Sequence, residues 1–484
     1  MEKIISFSRG SQFRSWSAID YCSYGIQPFI QEILDRFVES DNLEKSIVEA
    51  AGNHQQVVDD CFYIDPQNVV ESFSLKEELL FLENNPLLML FFSNNRLADF
   101  LLSNDREVIS DQSALPEIHQ LLSLCGQAQF SYQQICHQVS DSMVELLDKL
   151  IKSWVVKEET QEKKSISLEQ PGVYRLQHAG LLYRTATTGI LVDPQLHSNY
   201  GSTDIKQDIS RAMLEGWVDG ILISHSHYDH WHCPTLMMFP KSIPIFVPKV
   251  PRNSIICEDM ESKLKSLGFE NVIAVDWYSD GILVGDIEVN VLPFYGEQPL
   301  NPQYNKFKHP DLRNWGNTYL LRTKHYSSWF LIDSGDDPMG VTTEVAEYVK
   351  QHFGGVDLVL SNFQPLSYNS IGTNTYNWGV DIVGTLMSNP QMLSIMGKAE
   401  GYHLSTLGPK GVAEVCQIVG AKSCFPYAHG WAELGDYTEH DERLIKAVNE
   451  ELKQLDCNTQ VIPWHIGDGY IFEDKKASLI EALY

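Results

Sequence analysis

The apolar positions of the chain change their period once. Up to about residue 156 they recur at three and four: Ile26, Phe29, Ile30, Ile33, Leu34 and Phe37, then Met143, Leu146, Leu147, Leu150, Ile151 and Trp154. That spacing lines one face of a helix. Pro28 stands near the expected start of the first, where a helix tolerates proline. Turn clusters at 84–86 and 93–95 interrupt the run. The most apolar window, 79–102, is broken by Glu83, Pro86 and Arg96 and reads as a pair of core helices, not a membrane span. A mostly helical domain over 1–156 is the expectation. Its His54, His119 and His137 lie far apart and form no catalytic constellation, so the domain is expected to supply a dimer surface or to shape a substrate entrance.

The stretch KEETQEKKSIS is charged and without apolar period, and predicts a linker over 157–168. After it the pattern turns to short apolar runs, at 173–176, 180–184, 189–193, 221–223, 244–247 and 271–275. Further strands are predicted at 285–294, 317–322, 328–332, 356–360 and 423–428, with helices at 206–214, 261–267 and 411–420. Strands alternating with helices predict an α/β domain over 169–484.

Composition narrows the function classes. Hydrophobic residues make up 43% and charged residues 21%, an ordinary globular balance. A net charge of −28 argues against nucleic acid or an anionic membrane as partner. The nine cysteines are dispersed with no CxxC pair, which fits a reduced cytoplasm better than a disulfide framework. The first residues hold no long apolar stretch of secretory type.

The chemistry concentrates in ILISHSHYDHWH, residues 221–232. An apolar strand runs straight into His225, His227, Asp229 and His230, and strand ends are where α/β proteins present reactive groups. Alternation puts His225 and His227 on one side of an extended chain. Imidazoles and a carboxylate are transition-metal ligands. Two His at i and i+2, then Asp and His at i+4 and i+5, can serve two ions. Asp193, in an Asp-Pro turn, reads as structural, and His232 and Cys233 as turn residues.

HSHYDH resembles the HxHxDH signature of the metallo-β-lactamase superfamily. The resemblance implies an αββα sandwich, here preceded by the helical N-terminal domain, with a dinuclear metal site on the edge between the sheets. It also implies ligands at the ends of later strands. In the hydrolases of this fold the strand at 285–294 delivers a third His; here Glu297 takes its place. Asp333 corresponds to the bridging Asp and is preferred to Asp336 because it ends the apolar run. His429 matches the last ligand, and His465 reads as structural. The implied set is His225, His227 and Glu297 on one ion and Asp229, His230 and His429 on the other. Asp333 bridges them, and Glu297 and Asp333 are the expected catalytic ligands.

Replacing a His by Glu makes the site more anionic and oxygen-rich, which suits two iron ions better than two zinc ions. With that exchange the chain resembles the di-iron oxygenase branch, typified by the chloramphenicol-pathway β-hydroxylases. This implies an O2-dependent monooxygenase of natural product biosynthesis acting on an acyl or aminoacyl group, held as a thioester on a carrier protein. It also implies an external electron donor. The alternative is a dinuclear hydrolase of a thioester, lactone, amide or phosphodiester, with a metal-bridging hydroxide as nucleophile. Tyr295, Trp315, Tyr376 and Trp378, in or beside aromatic-rich loops, are expected to line the substrate pocket. Lys306, Lys308, Arg313, Arg322 and Lys324 come nearest to a basic patch that an acidic carrier could meet.

Overall fold

Successive residues of the central strands enter different cores. In Leu181–Arg184, Leu181 and Tyr183 join one cluster and Leu182 another; in Gly189–Val192, Ile190 and Val192 oppose Leu191. In Ser327–Ile332, Phe330 and Ile332 oppose Trp329 and Leu331. Strands buried on both faces need apolar residues at every position, hence the unbroken runs in the sequence.

The computed structural model describes residues 3–8, 11–16, 18–81, 83, 89–94, 106–109, 112–160, 168–196, 211–227, 229–254, 256–296, 298, 309–337, 339–365, 406–428, 438–473 and 476–480. One sheet orders its strands Val272–Val275, Ile245–Pro248, Gly220–Leu222, Gly189–Val192, Leu181–Arg184, Gly172–Arg175, Gly469–Glu473 and Lys476–Ile480. The other runs Ile282–Val284, Ile287–Pro293, Asn317–Arg322, Ser327–Ile332, Leu358–Ser361, Ser423–Pro426 and Gln460–Val461. Each sheet is parallel at one end and antiparallel at the other.

Val192, Leu222, Phe246, Val291, Tyr319, Leu360 and Phe425 fill the space between the sheets. The outer face of the second sheet is covered by the helices Thr342–Phe353, Gly408–Val419 and Glu439–Gln454. That of the first is covered by Leu115–Gly126, Asp141–Lys152 and Met260–Ser266. The layers are helix, sheet, sheet, helix. The parallel strands Gly220–Leu222 and Ser327–Ile332 lead directly into His225 and Asp333, one from each sheet.

The structure differs from the sequence reading in four places. The helix Ala18–Ser40 starts well before the apolar repeat, so Pro28 lies inside it. A proline there removes an intrahelical bond, and burial of Ile26, Phe29, Ile30 and Ile33 offsets the loss. Within 79–102, Met89–Asn94 is a strand between Ser11–Trp16 and Arg106–Ile109, not a helix. It is held by cross-strand pairing, on one side with the distant Ser11–Trp16, which local periodicity does not report. Of the segment read as a linker, residues through Thr160 belong to the strand Val156–Thr160, paired antiparallel with Lys3–Phe7. Only Val156 is buried in it, and the partly exposed charges of Lys157, Glu158 and Glu159 mimic a linker; 161–167 lie outside the described residues. The helix read at 206–214 is described only from 211, as the short 3-10 turn Arg211–Leu214.

Candidate metal centre

The strand Gly220–Leu222 is held in parallel between Gly189–Val192 and Ile245–Pro248. Past its end the backbone is caught by Asp193, which accepts from Ser224 N at 2.7 Å and from Ser224 Oγ at 2.6 Å. Ser224 Oγ lies 2.9 Å from His225 Nδ1. The chain then turns, with His230 N and Trp231 N donating to His227 O. The turn gathers three imidazoles: His225 lies 4.5 Å from His227 and 4.3 Å from His230 between ring centroids. His225 and His230 are fully buried, and His227 and Asp229 nearly so.

Asp333 enters from the other sheet. The register of Ser327–Ile332 against Leu358–Ser361 shifts between Phe330 and Ile332, a bulge that re-aims the strand end. Its Oδ2 reaches His230 Nε2 at 2.6 Å, and Oδ1 accepts from Asn362 Nδ2 at 2.9 Å. Asp336, the rival in the sequence, is exposed. Asp193 φ is 42°, Ile332 φ is 58° and Ala428 φ is 62°. These left-handed conformations are costly for residues with a Cβ and gather where function fixes geometry. Ile332 and Ala428 immediately precede Asp333 and His429.

Two buried donor triads result: His225, His230 and Asp333; and His178, Asp229 and His230. Asp229 Oδ2 lies 3.5 Å from His230 Nε2 and 3.2 Å from His178 Nε2. Donors about 2.1 Å from one ion stand roughly 3.0–3.5 Å apart, so the triads fit metal ions. Burial opposes a charge on His230, yet Asp229, Asp333 and Asp193 outweigh it and raise its pKa well above the ordinary imidazole value. Without a cation, a proton on His230 balances the carboxylates. Metal must displace it, so binding strengthens as pH rises. Below the raised pKa, the apparent affinity of the metal-free protein for Zn(II) should gain about tenfold per pH unit. Calorimetry in buffers of different ionisation heat should find a proton released; a pH-independent affinity contradicts this charge balance.

The structure thus brings together His225, His227, Asp229, His230 and Asp333. Glu297, His429, Tyr376 and Trp378 lie outside the described residues. The neighbours of position 297 are described: Gly296 N donates to Asp337 Oδ2 at 3.2 Å, and Gln298 Nε2 donates to the same oxygen at 3.2 Å. Arg313 donates to that carboxylate at 2.8 Å and to Phe294 O at 3.2 Å. Arg313 is therefore a buried brace rather than part of a basic surface, and Arg322 reaches Glu288 at 3.4 Å. Lys306 and Lys308 lie outside the described residues.

Tyr295 and Trp315 are both half-buried and meet through Trp277, at ring-centroid distances of 5.6 and 5.7 Å. The Arg313 guanidinium lies 4.9 Å from the Trp315 ring and 5.4 Å from that of Trp277. Next to it, Asn314 Nδ2 comes 3.3 Å from His227 Nε2. An aromatic wall therefore adjoins the histidines. Sequence reading missed His178, Trp277, Asn314 and Asn362. None sits in a motif, and only the Gly180 turn beside His178 hints at a constrained backbone. Asp193 proves structural in a specific sense: its Oδ2 lies 2.9 Å from His230 Nδ1, orienting the ring. His232 caps the helix Cys233–Leu236 through Thr235.

No family model matches the chain. Over 202 residues it is 30% identical to 4-amino-L-phenylalanyl-[CmlP-peptidyl-carrier-protein] 3-hydroxylase of Streptomyces venezuelae. The match spans 41% of this chain and 35% of that enzyme, so the chain aligns with about a third of its length. Among solved structures it resembles CmlA, a diiron β-hydroxylase from Streptomyces venezuelae, with a TM-score of 0.55 and 14% identity. That likeness covers 96% of this chain and 99% of CmlA, so it takes in the N-terminal region. A possible metal-dependent hydrolase from Veillonella parvula aligns with a TM-score of 0.40 and 15% identity, over 62% of this chain and 98% of that one. With its layer order and strand-end histidines, the chain has the metallo-β-lactamase fold.

Proposed function

We propose that the protein is an O2-dependent, non-haem di-iron monooxygenase that hydroxylates the β-carbon of an aminoacyl or acyl group bound to a carrier protein. The observation that carries this reading is the buried cluster of His225, His230, Asp229 and Asp333, in a chain similar to a carrier-protein-dependent 3-hydroxylase. His225, His227 and Glu297 would hold one ion and Asp229, His230 and His429 the other, with Asp333 between them. A carboxylate at 297 makes the donor set hard enough for iron. Bound iron would supply the redox chemistry that activates O2. One oxygen atom enters the C–H bond and the other leaves as water, so two electrons and two protons come from an external donor.

The residues of the chain do the rest. Asp193 and Ser224 orient His230 and His225, and Asn362 holds Asp333. Trp277, Tyr295 and Trp315 offer apolar surface that would exclude water from an acyl group. The N-terminal region shapes the entrance in this reading. Its Phe81 bridges to Ser254, and its Glu77 carboxylate accepts from His309 N at 3.0 Å, on the loop that leads to Trp315. We take 169–484 as the catalytic unit, and the N-terminal region also as the surface of a homodimer. No described helix is long and apolar enough to cross a membrane; we place the enzyme in the cytoplasm. The test is single turnover with an aminoacyl thioester on a carrier protein under labelled O2. Gain of one labelled oxygen supports the reading; hydrolysis of the thioester without labelled product supports the hydrolase instead.

A further inference from the structure

We propose that His178 is a positioning residue of the second metal position, holding the carboxylate of Asp229 by a hydrogen bond. The inference rests on the metal-centre reading above and adds a residue that the ligand motif does not contain.

His178 sits on the turn joining Gly172–Arg175 to Leu181–Arg184, closed by Gly180 N donating to Gln177 O and Leu176 N donating to Gly180 O, each at 2.8 Å. A Cβ on Gly180 would come within 2.9 Å of Gln177 O, so the turn admits no larger residue there. His178 itself takes φ 49° and is 1% exposed. A buried imidazole in a strained backbone costs stability on both counts. Glycine and asparagine adopt this conformation most readily, and histidine is among the other residues found in it. What this buried side chain meets is Asp229. Its Nε2 lies 3.2 Å from Asp229 Oδ2, and its ring stands edge-on to His230 at 5.7 Å.

The chemistry separates two roles. As a ligand, His178 would join Asp229, His230, Asp333 and the proposed His429 on one ion. A fifth protein donor would leave a six-coordinate iron a single open position, where non-haem iron oxygenase sites keep several. As a donor through Nε2–H, it fixes the rotation of the Asp229 carboxylate and leaves Oδ1 and a lone pair of Oδ2 for the ion. Asp193 does the mirror task for His230 from the turn after Gly189–Val192. Neighbouring turns of the first sheet would thus lock the two consecutive ligands Asp229 and His230.

The test uses the full chain, metal-free, titrated anaerobically with Fe(II) and separately with Co(II). His178→Asn keeps a residue that tolerates the left-handed turn but is too short to reach Asp229. His178→Gln restores length and an N–H donor. The expected result is that His178→Asn weakens one of the two equivalents about 10- to 100-fold and leaves the other unchanged. His178→Gln should recover most of the loss, and the Co(II) spectrum of each saturated variant should keep its imidazole count. Unchanged binding in His178→Asn overturns the proposal. So does a Co(II) spectrum showing one imidazole fewer in both variants, which makes His178 a ligand. Thermal melting of the metal-free variants separates these outcomes from misfolding. A wild-type chain that takes up neither metal overturns the metal-centre reading and this inference with it.

Discussion

Asp333→Ala should abolish tight binding of both metal equivalents, by more than the roughly 100-fold that loss of an orienting neighbour costs. The residue is fully buried, 2.6 Å from His230 Nε2, and held by Asn362. It is the carboxylate that the second sheet brings to the histidine cluster among the described residues. Its removal should not unfold the metal-free chain. Asp193, Asp229 and Asp333 surround one imidazole, and losing one of three like charges relieves repulsion while the raised pKa of His230 falls. The sign of the pH effect follows. In the wild type, the proton on His230 stabilises the metal-free fold below the unfolded pKa, and that stability is lost as pH rises through the raised folded value. The variant should show a shallower loss on the alkaline side. Metal tells the two apart most sharply. A ligand at a thousandfold excess over its Kd adds about 4 kcal/mol, so the wild type should melt markedly later with metal and Asp333→Ala should not. Scanning calorimetry with and without Zn(II) measures this; a variant that gains as much as the wild type contradicts a bridging role.

Glu297→His should convert the protein from an iron to a zinc protein and reduce O2-dependent turnover at least about 100-fold. Donor hardness decides the metal. A third imidazole on the first ion removes a negative charge and an oxygen donor, and imidazole sites suit zinc. The surrounding brace should be unaffected, because Gly296 and Gln298 are held through Asp337 and Arg313 by backbone and side-chain groups other than residue 297. Metal analysis after expression with both metals supplied reads the exchange directly. Retention of iron at wild-type occupancy would mean that residue 297 does not set the choice.

The parts of this molecule that announced themselves in the sequence are those whose local pattern coincides with their tertiary role. Ile221, Leu222 and Ile223 are buried on both faces of a parallel strand, so the sequence is apolar without interruption, and the histidines begin where the strand stops. Asp333 ends an equally plain run. The N-terminal strands were hidden for the opposite reason. Val156–Thr160 pairs with Lys3–Phe7 across the whole N-terminal region, and its outward side is charged. Met89–Asn94 owes its conformation to pairing with Arg106–Ile109 and with the remote Ser11–Trp16, which the period of its own apolar residues does not report. His178 was illegible because one histidine in a turn looks like any other. Only the fold brings that turn to Asp229. Arg313 misled in a further way, since a cation in a polar loop looks solvated until Asp337 and two tryptophans are seen around it.

A di-iron centre that uses O2 has a spectroscopic and a kinetic signature. The measurement that tests it most directly is metal content with Mössbauer and optical spectra of the full chain, expressed with iron and zinc both supplied and then reduced and exposed to O2. Two irons per chain are expected, exchange-coupled through a shared carboxylate, with a reduced form that consumes O2 faster when an aminoacyl carrier protein is present. Tightly held zinc, or iron that stays inert to O2 with that carrier present, contradicts it and leaves a hydrolase of the same fold.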